Sequence, residues 1–138
     1  MWDNLFKPVD LLEKGVSASW MRSAVIRNNI ANIETPEFKA SDLEFETLME
    51  RAILCSGGFE GARTHPGHRK IGSAYSVDCV SPRIVQRRDD LSMRMDGNNV
   101  DIESENVKLA QNSIYLNTLL EKMNSELRRL NMAIREGR

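Results

Sequence analysis

The stretch from Leu109 to Ile134, LAQNSIYLNTLLEKMNSELRRLNMAI, decides how the rest of the chain must be arranged. Its apolar residues fall at Leu109, Leu116, Leu120, Met123, Leu127, Leu130 and Ile134, and Ser113 completes the series. Steps of four and three residues alternate, which is the seam of a coiled coil rather than the broad face of an ordinary globular helix. At about 1.5 Å per residue the stretch makes a rod roughly 39 Å long. Such a seam is stable only when another helix covers it.

A partner of matching period lies at the other end of the chain. From Pro8, whose fixed φ suits a first helical turn, the series runs Val9, Leu12, Val16, Ser19, Ser23, Ile26, Ile30, Ile33. Leu5 extends it backward, and Trp20, Ala24 and Ala31 widen one side. Gly15 inside the helix costs about 1 kcal/mol relative to alanine. Ser19 and Ser23 weaken the seam but permit close approach of a neighbouring backbone. The two seams can close on each other as a self-contained antiparallel hairpin, or also pack between molecules in a larger bundle. Periodicity alone favours the hairpin.

With 138 residues there is room for one domain and a modest core. The 19 basic and 20 acidic residues leave a net charge of −1, too little to steer the chain to nucleic acid or an anionic membrane. No apolar run reaches membrane-spanning length. The segment Met1-Trp2-Asp3-Asn4-Leu5-Phe6 has no positive region before an apolar block, so a cleaved secretory signal is not expected. That alone points to the cytoplasm. Cys55 and Cys79 make neither a CxxC pair nor a disulfide framework.

Between the seams, Asn28, Asn29 and Asn32 sit where the first helix should end. Asparagine amides compete for backbone hydrogen bonds, so each is expected to bond a neighbouring chain's backbone or cap its own helix. Thr35-Pro36 stops the helix. An extended Phe38-Lys39-Ala40 follows, then a short amphipathic piece through Leu43, Phe45, Leu48, Met49, Ala52 and Ile53. Glycines and prolines punctuate residues 55–83, which read as a loop or small extended insert. Alternation at residues 75–80, 84–85 and 91–95 predicts short strands. Asp96-Gly97-Asn98-Asn99 is a tight turn leading through Val100 to Asp101, a candidate N-cap, with Glu103 and Glu105 suited to the positive end of a helix. Backward extension of the C-terminal seam reaches Asn106 and Ile102. The expected fold is mainly α. Residues 1–54 and 99–138 form a helical, coiled-coil-like rod domain, and residues 55–98 form a loop-rich insert with short strands.

Asn28-x-x-Ala31-Asn32-x-x-Thr35-Pro36-x-Phe38-Lys39 resembles the N-terminal signature of the bacterial flagellar rod and hook proteins. Asp96-Gly97-Asn98-Asn99-Val100-Asp101-x-Glu103-x-Glu105, followed by Leu109-Ala110-x-Asn112-x-x-Tyr115, is similar to the C-terminal signature of that family's short proximal-rod members. Glu37 stands where the family carries glycine or asparagine, and Asn106 where it carries methionine. The resemblance implies a structural subunit with no cofactor, exported by the flagellar type III apparatus to the periplasm-crossing basal body. There it would join the export gate and MS ring to the rest of the rod and transmit torque. Implied partners are copies of itself, FlgC-like, FlgF-like and FlgG-like rod proteins, a FliE-like adaptor and export-gate proteins.

On this reading Val9, Leu12, Val16, Ile26, Ile30, Leu109, Leu116, Leu120, Met123, Leu127, Leu130 and Ile134 supply the assembly seam. Asn28, Asn32, Thr35, Pro36, Asp96, Gly97, Asn98 and Asn99 fix the two turns where helices meet the insert. The ends of the isolated chain should be partly disordered until assembly. An FlgC-like rod member is the near alternative, and a self-contained helical adaptor or chaperone is the alternative outside the family.

Catalytic and metal readings are weaker. His65 and His68 with Cys55 and Cys79 match no standard zinc spacing. The oxygen-bearing residues after Gly97 do not follow the EF-hand order. No nucleophile and base are paired, so no enzyme is expected.

Overall fold

The computed structural model describes residues 3–56, 65, 67, 80–87 and 95–136. The order is α1 (Asp3–Ala31), β1 (Ser41–Glu44), α2 (Glu46–Ser56), β2 (Arg83–Gln86) and α3 (Ile102–Glu136). The strands expected at 75–80 and 91–95 lie almost wholly outside the described residues, whereas Ile84 and Val85 fall within β2. The fold is mainly helical, with the two long terminal helices packed together and a small antiparallel two-stranded sheet between them in sequence. The chain divides into two compact units, Met1–Leu43 with Ile84–Arg138, and Glu44–Arg83.

In the first unit α1 and α3 run antiparallel. Asn29 meets Glu105, Ser19 meets Asn112, and Gly15 faces Leu119, so numbers fall on one helix as they rise on the other. The buried face of α1 is small along its middle: Gly15, Ala18, Ser19 and Ser23. A Cβ on Gly15 would stand 3.4 Å from Leu119 Cδ1. The Asn112 amide reaches across to the Ser19 carbonyl at 2.9 Å, which only small residues at the crossing allow. Val25 and Ile26 add aliphatic bulk nearer the end of α1.

Trp20, Ala24 and Ala31, expected to widen the seam of α1, are exposed, and two further details depart from the sequence expectation. First, α1 begins at Asp3, so Pro8 lies inside it, in the second turn. Proline has no N–H for the carbonyl four residues earlier, which leaves the first turn more weakly held. Second, the inward phase of α3 runs through Glu105, Leu109, Asn112 and Leu116, not through Asn106 and Ser113, both of which are exposed. A straight helix of 3.6 residues per turn drifts from a strict seven-residue repeat. Here the drift brings Asn112 inward, and Ser113 instead bonds the Ala110 carbonyl of its own helix at 2.7 Å.

In the second unit α2 carries a buried side formed by Met49 and Ala52, preceded by buried Phe45. Ile53 and Leu54 on α2 are exposed.

Candidate functional site

The end of α1, both strands and the start of α3 meet at one polar junction. It is built by asparagines. Asn98, 1% exposed, donates through Nδ2 to the carbonyls of Asn32, Ile33 and Thr35 at 2.9–3.0 Å. These carbonyls belong to the turn that follows α1, where those of Asn32 and Thr35 also accept the N–H groups of Thr35 and Phe38. Asn98 Oδ1 accepts from the Val100 N–H at 2.8 Å, and the Asn98 N–H is itself held by Asp96 Oδ1. The turn that follows α1 is therefore held by the turn that precedes α3. Gly97 at φ 76° provides the left-handed step that this turn needs, and Lys39 Nζ donates to its carbonyl at 2.7 Å.

Asn99 joins the strands to the same turn: its Oδ1 accepts from the Ala40 N–H at 2.7 Å and its Nδ2 donates to the Arg87 carbonyl. Asp101 caps α3, its Oδ1 accepting from the Glu103 N–H at 3.1 Å. Glu37 lies in the left-handed region at φ 59°, held there by its N–H bond to the Asp96 carbonyl at 2.9 Å. Glycine or asparagine adopts that conformation with less strain.

Asn29 and Glu105 form the buried heart of the junction; the sequence sets Asn29 among the backbone-bonding asparagines and Glu105 at the positive end of α3, but does not pair them. Asn29 is fully buried. Its amide exchanges two bonds with the Ser41 backbone, at 2.8 and 3.0 Å, and donates to Glu105 Oε2 at 3.0 Å. Glu105 is 2% exposed and paired with Lys108 Nζ at 2.7 Å, with Arg87 Nη1 at 3.8 Å. A buried carboxylate is tolerated when it is paired and hydrogen-bonded in this way. The available signal was phase: Asn29 stands three residues after Ile26, on the inward side of α1. Arg87 also binds Asp42 at 2.6 Å. Burial alone would raise the Asp42 carboxyl, but the Arg87 bond, the Leu43 N–H and the charges of Arg87 and Lys108 outweigh it and hold the group below its ordinary value.

Of the other signature residues, Asn28 is exposed and its Oδ1 and carbonyl both accept from Asn32 Nδ2. Asn28, Asn29 and Asn32 each make at least one bond within their own chain. Ala31 and Pro36 are exposed, Phe38 is half-buried and Val100 is buried. Among the seam residues Ile26 is buried. Val9, Leu12, Val16, Ile30, Leu109, Leu116, Leu120, Met123 and Leu130 are half-buried, and Leu127 and Ile134 are exposed. His65 is exposed and accepts the Gly67 N–H, while His68 and Cys79 lie outside the described residues. Among the described residues no group of three metal-binding side chains gathers, and no helix is long and apolar enough to cross a membrane.

Both helices also carry apolar residues on their outer sides. Trp20, 74% exposed, lies on α1 away from the buried face, near Ala24 and Ala31 in helical phase. Val107, Ile114 and Met132, all more than half exposed, share one outward stripe of α3. A cleft of about 300 Å³ lies between α1, β1 and α3, bordered by Arg22, Ile26, Asp42, Lys108, Asn112 and Tyr115. The Asn112 Oδ1 and the Ser19 hydroxyl are buried with no hydrogen-bond partner among the described residues.

Long paired helices, joined at one end by interlocked turns and carrying exposed apolar residues on their outer sides, are the frame of a helical packing protein. No protein-family profile matches the chain. Individual relatives do. It is 33% identical over 130 residues to the flagellar basal body rod protein FlgB of Bacillus subtilis strain 168, covering 92% of each chain. It is 32% identical over 130 residues to the FlgB of Aeromonas hydrophila, covering 94% of this chain and 93% of that one. It is 31% identical over 134 residues to the FlgB of Borrelia hermsii, covering 96% and 99%. The chain belongs to the FlgB family of flagellar basal body rod proteins.

Proposed function

We propose that this chain is a structural subunit of the flagellar basal-body rod and joins it by packing the outer sides of its helix pair against neighbouring subunits. One observation carries the mode of joining. The apolar stripe Val107, Ile114 and Met132 faces away from the Glu105–Asn112 side that meets α1, so the pair has a second face to bury. A helix apolar on opposite sides belongs inside a bundle of more than two helices.

In this role Ile26, Leu109, Leu116, Leu120 and Met123 hold the pair together, and Val9, Leu12, Val16, Ile30, Leu127, Leu130 and Ile134 are available to both internal and external packing. Asn32, Thr35 and Asp96–Asp101 fix the angle at which the pair leaves the junction. The rod domain comprises residues 1–54 and 99–138, with 55–98 as the insert. Partners are further copies and FlgC-like, FlgF-like and FlgG-like rod proteins, with a FliE-like adaptor and the export gate on the proximal side. The subunit reaches the basal body by the flagellar type III route, transmits torque through lateral helix contacts, and performs no catalysis.

The test is to mix the purified chain with the other rod proteins of its organism and follow complex formation and far-UV helicity together. Complexes that form with a rise in helicity support the reading. A fully helical monomer indifferent to those partners overturns it in favour of a self-contained adaptor.

A further inference from the structure

The outer sides of the two long helices match each other in spacing, size and charge. On α1, Asp10, Ala24 and Ala31 recur at multiples of seven, and Phe6 stands four residues before Asp10. On α3, Val107, Ile114 and Arg128 recur at multiples of seven, and Met132 stands four residues after Arg128. All eight are exposed. Ala24 is two residues from buried Ile26, and Ile114 two residues from buried Asn112, each about 200° around its helix. The two series are therefore the backs of the helix pair, and they look out from its opposite sides. Laid antiparallel with Ala24 opposite Ile114, they fit at four places together. Ala31 meets Val107 as Ala24 meets Ile114, a small residue beneath each branched one, while Asp10 meets Arg128 and Phe6 meets Met132. Among the described residues neither Asp10 nor Arg128 has an ion pair of its own. A slip of one heptad one way sets Asp10 against Glu121. The opposite slip sets Glu13 against Met132 and carries Val107 past the end of α1, so charge and length select one register.

We propose that the back of α1 in one copy of this chain packs antiparallel on the back of α3 in the next copy, with Ala24 opposite Ile114 and Asp10 opposite Arg128. This rests on the reading of the chain as a rod subunit that packs by its outer sides, and adds which face meets which and in what register. The ends of the helix pair support a second copy as the occupant. Asn29 is level with Glu105 and Gly15 with Leu119, so Asp3 is level with Asn131, and the stretch of α3 from Met132 onward runs past the start of its own α1. A copy displaced along the axis covers that overhang and sets its Phe6 on Met132. Ala24, level with Ala110 of its own α3, meets Ile114 of its neighbour, so successive copies are offset by four residues, about 6 Å. Because the two backs are different surfaces on opposite sides, the contact is head-to-tail. Such interfaces propagate instead of closing as dimers, and the offset makes the array climb.

The experiment reverses the charges in the full chain, one at a time and together. Asp10→Arg and Arg128→Asp both change exposed side chains, and circular dichroism with urea unfolding checks that each subunit keeps its wild-type helicity and midpoint. Sedimentation velocity across a concentration series at low salt then reads association. Wild type should grow beyond dimers. Each variant alone sets like charges together and should need a concentration at least ~5-fold higher. An equimolar mixture of the two should recover wild-type growth, because every contact in an alternating array then pairs an arginine with an aspartate. The doubly reversed chain should recover it by itself. Single variants that associate like wild type overturn the contact, and so do variants that neither the mixture nor the double reversal rescues. Asp10→Arg chains that associate more tightly place residue 10 against Glu121, and rescue by Arg135→Asp instead of Arg128→Asp places it one heptad the other way; either overturns the register. Closed wild-type dimers overturn the head-to-tail arrangement. A wild-type chain that joins other rod proteins but not itself overturns this contact and leaves the rod reading intact, and one that joins neither overturns both.

Discussion

Replacing Asn98 with alanine removes one small side chain and loosens the turn that follows α1. Its Nδ2 serves the carbonyls of Asn32, Ile33 and Thr35, and its Oδ1 serves the Val100 N–H. A capping side chain is worth about 1 kcal/mol, and a buried polar group left without a partner costs about 1–3 kcal/mol. Three carbonyls share two amide hydrogens, those of Asn32 and Thr35 keep their backbone N–H bonds, and the turn can recruit water, so the whole loss is about 2 kcal/mol. Against a total stability of about 5–15 kcal/mol this is a large fraction. Urea unfolding followed at 222 nm should show it as a lowered midpoint with an unchanged slope. Asn98→Asp separates the two halves of the role. It keeps an acceptor for Val100 but sets a carboxylate against three carbonyls, so it should cost at least as much as alanine. Asn106→Ala, on the exposed side of α3, is the control and should stay within about 0.5 kcal/mol of wild type. An Asn98→Ala chain within that same margin would refute the claim that the turn before α3 holds the turn after α1.

Other substitutions probe separate parts of the account. Gly15→Ala should stabilise by about 0.5–1 kcal/mol in a urea titration, because the new Cβ meets only the tip of Leu119 at 3.4 Å and the helix gains propensity; a loss would mean that the crossing is too close for a methyl group. Glu37→Gly should raise stability by up to about 1 kcal/mol by relieving the left-handed strain at φ 59°, and Glu37→Val should lower it. The Asp42 carboxyl is held below its ordinary 3.8, so its ion pair with Arg87 contributes above that value and is lost as pH falls through the lower folded one. With Asp42 49% exposed the effect is small, about 0.5 kcal/mol, and Asp42→Asn should remove that part of the acid sensitivity from the pH dependence of the urea midpoint.

The helices were legible because period is a local property: Leu109, Leu116 and Leu120 announce a helix whatever lies across from them. The turn at Asp96–Asn99 and the cap at Asp101 were legible for a similar reason, since their chemistry is carried by adjacent residues. The pairing of Asn29 with Glu105 was not. Local pattern marks each residue separately, and what joins them is a bond across 76 positions. The exact inward phase of α3 was also beyond local pattern, because Ser113 and Asn112 fit the seam about equally well. Only the position of the Ser19 carbonyl across the crossing decides between them. The outer stripe was hidden for the opposite reason. Val107, Ile114 and Met132 are scattered singly among polar residues, and only once the inward side is fixed do they line up as a second face.

That second face is the centre of the account, and Ile114→Glu tests it most directly. Ile114 is 67% exposed, so a charge there leaves the internal core of the subunit untouched. The measurement is the amount of the variant found in rods purified from the organism, set beside the urea midpoint of the isolated chain. The account predicts an unchanged midpoint and loss of the chain from the rod. A variant that enters the rod at the wild-type level would contradict it, since the outward side of α3 would then face solvent in the assembly.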